Sequence, residues 1–168
     1  MRLDFIHVGT IVNTHGIRGE LRLLPRDGNP DFVADFDTLY IDQKPVKPTA
    51  SHVHKSFVLI KLPGVDDMNA AMAYRGKEVY IRRSDAELDD GEWFDDELLG
   101  LRVLNAETGE DIGELVAVDP YPASRVYTVK GTHTYLIPAV PGAFIESIDM
   151  DANIMRVHVW EGLATDEH

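Results

Sequence analysis

Phe5-Ile6-His7-Val8-Gly9-Thr10-Ile11-Val12 runs into Asn13-Thr14-His15-Gly16-Ile17-Arg18-Gly19 and then into Glu20-Leu21-Arg22-Leu23-Leu24. The first eight residues are rich in β-branched and aromatic types, the next seven break the pattern with two glycines, and the last five resume as a strand. This is a strand, a glycine turn and a strand, and the same grammar extends outward. Further strands are expected at 39–41, 46–53, 57–62 and 78–81, with proline, glycine or aspartate between most of them. One segment departs from this. Asp66-Asp67-Met68-Asn69-Ala70-Ala71-Met72-Ala73-Tyr74 opens on carboxylates, continues with good helix formers and has Gly76 just past its end, which predicts one short helix plugging or flanking a barrel.

At residues 84–91, Ser-Asp-Ala-Glu-Leu-Asp-Asp-Gly, the β pattern stops in a stretch too charged to bury. Strands return at 101–104, 112–118, 126–129, 135–137 and 154–159, with turns expected at 105–109 and 149–153. Strands this short and this regularly spaced favour small closed or nearly closed barrels, because closure removes exposed edges. The expectation is an all-β chain with one domain over residues 1–83, an acidic linker over 84–92 and a second domain over 93–168.

The net charge of −13 argues at first against nucleic acid, whose phosphates call for Lys and Arg. Its distribution changes that reading. Residues 1–85 hold 12 Lys and Arg against 11 Asp and Glu, whereas residues 86–168 hold 4 against 18. Two modules with different partners fit this asymmetry, the acidic one suited to a basic protein; a generally acidic, soluble surface fits it as well. There is no cysteine, so neither a disulfide framework nor thiolate chemistry is available. No apolar run is long enough to cross a bilayer as a helix, and Met1-Arg2-Leu3-Asp4 lacks a signal-peptide layout, so a cytoplasmic location is expected.

No enzyme motif emerges. Ser51, Ser56, Ser84, Ser124 and Ser147 sit in no nucleophile elbow, and neither a P-loop nor a dinucleotide fingerprint occurs. His52 and His54 alternate on an expected strand and face one way, but no third metal ligand stands nearby in sequence. Asp89, Asp90, Asp95, Asp96 and Glu97 miss the spacing of a calcium loop and crowd a polar segment, which suits a solvated linker better than a catalytic carboxylate pair. No catalytic residue, metal or cofactor is expected.

Two constellations suit binding. Gly16-Ile17-Arg18-Gly19 superficially matches the loop with which KH domains clamp RNA, but that loop joins helices and this one joins strands. What remains is a glycine hairpin that lets RNA phosphate approach closely, with His15, Arg18 and Arg22 as donors, or a plain structural turn. Trp93 and Phe94 open the second domain and are followed by Asp95 and Asp96. They read either as aromatic anchors of a protein interface rimmed by charge, or as rings that staple the linker to the core.

Several segments together resemble the RimM family of ribosome maturation factors: residues 8–21, residues 64–71 through 75–81, and in the second half Leu98-Leu99-Gly100-Leu101 with Val103, Leu136-Ile137-Pro138-Ala139-Val140 and Glu161-Gly162-Leu163. The resemblance implies a translation-factor-like barrel with one short helix, then a PRC-type barrel. It also implies a non-enzymatic factor that binds the immature small (30S) subunit, associates with small-subunit ribosomal protein nineteen in its head, and assists folding and processing of the small-subunit rRNA. The family ties the aromatic pair at the start of the second domain to ribosomal binding, which places Trp93, Phe94, Asp95 and Asp96 at the protein partner. RNA contact is expected from His15, Gly16, Arg18, Gly19 and Arg22, with help from Lys77, Arg82 and Arg83. The family's pair is usually tyrosines followed by another aromatic, where this chain has Asp95; its Ala-Asn-Asp-Val loop is replaced by Ala123-Ser124-Arg125-Val126. Two rival readings are a metal-dependent RNA hydrolase using Asp95, Asp96 and a histidine, and a protein-interaction barrel acting outside the ribosome.

Overall fold

The computed structural model describes residues 2–88, 92–121 and 123–160. Asp89, Asp90 and the Glu161-Gly162-Leu163 motif lie outside the described residues. The chain forms two compact units: Asp4–Glu87, and the residues from Leu88 onward together with Arg2 and Leu3. The division falls inside the 84–92 stretch.

In the first unit the elements are β1 (Phe5–His15), β2 (Glu20–Pro25), α1 (Pro30–Ala34), β3 (Leu39–Ile41), β4 (Lys44–Val46), β5 (Ala50–His54), β6 (Phe57–Lys61), α2 (Met68–Met72) and β7 (Glu78–Arg82). The seven strands make one sheet in the order β4-β3-β7-β1-β2-β6-β5. β1 is central and pairs antiparallel with both β2 and β7, and its register slips between His7 and Gly9 on one side and between Ile11 and Asn13 on the other. Such irregularities bend a strand and curl the sheet around its contents. Leu21 and Leu23, Val58 and Ile60, and Val79 and Ile81 are fully buried and give one face of their strands to a common core, while Leu59 buries the other face of β6 as well.

The helix expected within 66–74 is α2, capped by the Asp67 side chain, which accepts from the Ala70 N–H at 2.7 Å. The strand expected over 46–53 is broken, because the chain leaves β4 at Val46 and re-enters the sheet only at Ala50, on the opposite edge. The helix α1 was not anticipated, although Asn29-Pro30 is a strong start signal: Asn29 caps the Phe32 N–H, and proline at the first helical position has no N–H left to satisfy.

The second unit contains α3 (Asp95–Leu98), β8 (Arg102–Asn105), β9 (Asp111–Pro120), β10 (Arg125–Lys130), β11 (Thr134–Pro138), β12 (Ile145–Asp149) and β13 (Ile154–Val157). Its sheet runs β11-β10-β9-β8-β13-β12, antiparallel except for the parallel pair β13 and β8. Leu101, Val103, Leu115, Val129, Ile137, Met155 and Val157 are fully buried at its centre. After β11 the chain crosses toward β12 through a bridge between Pro141 and Ile145. The architecture is the all-β one expected, two curled sheets with few and short helices. β12 has no counterpart among the expected strands, because Glu146 and Ser147 interrupt its apolar pattern.

Candidate functional site

β1 and β2 meet in the turn 16–19, where Gly16 and Gly19 have φ of +69° and +91°. Gly19 is required twice over: its backbone lies in the left-handed region, and a Cβ there would strike the Val65 carbonyl. The turn therefore rests on the chain that follows β6. Lys61 fastens that chain by donating to the Val65 carbonyl oxygen and, at 2.9 Å, to Asp66.

Strand register determines which side chains share the face beside this turn. His15 stands opposite Glu20, Arg22 opposite Leu59, Leu59 opposite His52, and Phe57 opposite His54. Opposed residues point to one side of a sheet, so His15, Arg22, Phe57 and His54 converge. An Arg22 Nη nitrogen lies 3.2 Å from His15 Nδ1, the guanidinium stands 5.2 Å from the Phe57 ring centre, and the His15 and His54 rings are 5.8 Å apart. A guanidinium only donates, so Nδ1 is the acceptor in this contact. Arg22 Nε is shielded from water and has no hydrogen-bond partner among the described residues. The result is a shelf of one guanidinium, two imidazoles and a phenyl ring. Arg18 is exposed at the turn, and beside it Ile17 is 76% exposed.

Of the residues expected to meet RNA, His15, Gly16, Arg18, Gly19 and Arg22 are gathered here. Phe57 and His54 belong to the same shelf and were missed, since only the cross-strand register brings them in. Lys77, Arg82 and Arg83 stand apart. Arg82 lies opposite Phe5, ten residues along β1 from His15, which at ~3.3 Å per residue is a separation of roughly 30 Å along the strand. Its guanidinium covers the rings of Phe5 and Tyr40, each at 5.6 Å, while Lys77 is paired with Asp42.

In the second unit Trp93 packs partly buried against the core, and Phe94, Asp95 and Asp96 are half-buried. The short α3 is held by Glu97, which is fully buried and accepts from the Phe94 N–H at 3.0 Å and from the Leu3 N–H at 3.3 Å. Phenylalanine has no acceptor to return the bond, so this is half of a capping box. Asp95 is bound by Arg125 at 2.6 Å. Residues 95–97 are thus no open acidic rim: one carboxylate is paired and another is a buried structural acceptor. Beneath them, burial first and Asp95 second push the Tyr127 hydroxyl above its usual range. At the other end of the sheet, a hydrogen bond from the His158 ring at 2.5 Å holds the Glu107 carboxyl below the usual range, and Arg102 does the same for Asp111. Among the described residues no group of three or more His, Asp or Glu side chains is placed to hold a metal.

Comparison with known proteins matches residues 6–86 to the RimM N-terminal domain and residues 95–163 to the RimM PRC barrel domain. The chain belongs to the RimM family. The ribosome maturation factor RimM of Lactobacillus delbrueckii subsp. bulgaricus is 33% identical over 167 residues, covering 96% of this chain and 99% of its own. That of Brucella ovis is 35% identical over 170 residues, covering 97% and 89%. A crystal structure of a RimM from Pseudomonas aeruginosa is 28% identical, with a TM-score of 0.46 over 94% of this chain and 98% of that one. RimM membership joins the two units in the order in which the fold presents them.

Proposed function

We propose that this chain, like the ribosome maturation factors it resembles, matures the small ribosomal subunit in the cytoplasm by binding and not by making or breaking bonds. The first unit meets small-subunit rRNA with the shelf of His15, Arg22, His54 and Phe57 and the adjoining Arg18. The second unit takes small-subunit ribosomal protein nineteen, a basic partner, through Trp93 and Phe94. The observation that carries this reading is the shelf itself. A guanidinium stacked on a phenyl ring beside two imidazoles offers both a phosphate donor and flat faces on which an unpaired base can stack, the two elements by which proteins hold single-stranded RNA. Binding of this kind shifts the rRNA ensemble toward one conformation if the factor holds an intermediate more tightly than the finished subunit.

The test is affinity, for ribosomal protein nineteen and for small-subunit rRNA separately, at two salt concentrations. Trp93→Ala with Phe94→Ala should weaken the protein complex by more than about 2 kcal/mol and leave the rRNA complex unchanged. Arg22→Ala with Phe57→Ala should do the reverse, and the log–log salt dependence of rRNA binding should lose roughly one phosphate contact. If each double variant binds both ligands like wild type, neither surface is an interface.

A further inference from the structure

Arg2 and Leu3 fold onto the second unit. The Arg2 guanidinium lies 5.7 Å from the centre of the Trp93 ring and is paired with Asp151 at 2.8 Å. The next residue, Leu3, donates its backbone N–H to Glu97, the fully buried carboxylate that also accepts from Phe94. Three features thus meet one dipeptide: an aromatic face for a cation, a carboxylate for the same cation, and a buried acceptor for the following peptide N–H. Arg2 and Asp151 are 63% and 79% exposed, so the cation is held at the surface and can be exchanged.

We propose that Trp93, Asp151 and Glu97 form a recognition cradle for an extended arginine-plus-apolar dipeptide, that Arg2 and Leu3 occupy it in cis, and that a basic protein segment docks by displacing them. The choice of a basic segment rests on the reading of the second unit as the seat of a basic partner, and it is favoured by charge: residues 86–168 hold 4 Lys and Arg against 18 Asp and Glu. The cation is the discriminating group. An apolar or acidic segment would leave Asp151 unpaired and the Trp93 face without its cation. Displacement also has a limited cost, because one exposed cation–π contact and one exposed ion pair together set a competition of about three- to tenfold.

Two measurements on the full-length chain test this. In the first, N-acetyl-Arg-Leu-amide is titrated into wild type, Arg2→Ala and Arg2→Ala/Asp151→Asn while the Trp93 indole N–H is followed by NMR. Saturable shifts are expected in Arg2→Ala at concentrations about three- to tenfold below those needed for wild type, with binding weakened about two- to fivefold in the double variant and weakened further for N-acetyl-Glu-Leu-amide. Equal titrations in wild type and Arg2→Ala, or no shift in either, would overturn the cradle. In the second, the affinity for ribosomal protein nineteen should rise three- to tenfold in Arg2→Ala. An unchanged or weaker affinity there would mean that Arg2 is a strap and not a competitor, and the displacement step falls. If the dipeptide behaves as expected and ribosomal protein nineteen binds neither protein, the cradle stands and the partner named above is wrong.

Discussion

At the scale of single residues, the two glycines of the hairpin separate conformational strain from collision. Gly16 and Gly19 both have left-handed φ, but a Cβ on Gly16 meets open space, whereas one on Gly19 meets the Val65 carbonyl. Gly16→Ala should cost roughly 1–2 kcal/mol, the handedness penalty alone, and Gly19→Ala should cost clearly more. Urea unfolding followed by far-UV circular dichroism measures both, and equal losses would contradict the close approach. Glu107 offers a titration. Its carboxyl is held low chiefly by the His158 hydrogen bond, so the associated stability is present above the unfolded value of about 4.3 and is lost as pH falls through the folded value. In His158→Asn the Glu107 midpoint should move upward toward that value, read by NMR of the side-chain carboxyl. Some of this was legible in the chain and some was not. His15, Arg18 and Arg22 declare themselves by sitting around two glycines. His54 and Phe57 lie more than thirty residues beyond Arg22, and nothing in their own neighbourhood points back to it. Glu97 looked like one more charge in an acidic run, because burial depends on what folds over a residue, and here that includes Leu3.

Among elements, α3 is the most exposed to loss, since a four-residue helix cannot hold itself together. Its carboxylate Glu97 satisfies two backbone donors inside the unit. Glu97→Ala should destabilise the second unit by about 2–4 kcal/mol by orphaning both, and Glu97→Gln, which keeps an acceptor oxygen, by less. Trp93 and Trp160 are the only tryptophans in the chain, so tryptophan fluorescence during denaturation reads the second unit selectively. Glu97→Gln as damaging as Glu97→Ala would show that charge, and not hydrogen-bond geometry, holds the helix. The strands were easier to foresee than the short helices because alternation survives in five residues, whereas a helical period needs two or more turns to declare itself. α2 is legible from its capping aspartate, whereas α1 has only an Asn-Pro start before five residues with a single buried side chain. α3 was hidden by the acidic composition that makes its first turn favourable.

For the molecule as a whole, each unit encloses its own set of fully buried aliphatic residues, which is the condition for folding alone. The fragment 4–87 should therefore fold cooperatively in isolation. The fragment 88–168 should also fold, but with a tryptophan-monitored stability about 1–3 kcal/mol below that of the same unit in the intact chain, because Glu97 no longer receives the Leu3 N–H. An equal stability would make that contact incidental. The unequal division of charge was visible in composition from the start, but the return of Arg2 and Leu3 to the second unit was not, since no local pattern records a contact across ninety-four residues.

The parallel pairing of β8 with β13 sets a timetable for synthesis. Arg102 is matched to Ile154, so the first strand of the second sheet waits for the last before that side of it is covered. At ~5–20 residues per second, the interval is roughly 3–10 s of translation. The first unit has a wait of the same kind: β1 meets β2 after a four-residue turn, but its other flank stays open until β7, where Phe5 is matched to Arg82. A newborn chain thus spends seconds with local hairpins able to form in each half and one flank of β1 or of β8 uncovered, and it is in those intervals that these flanks are most open to misassembly.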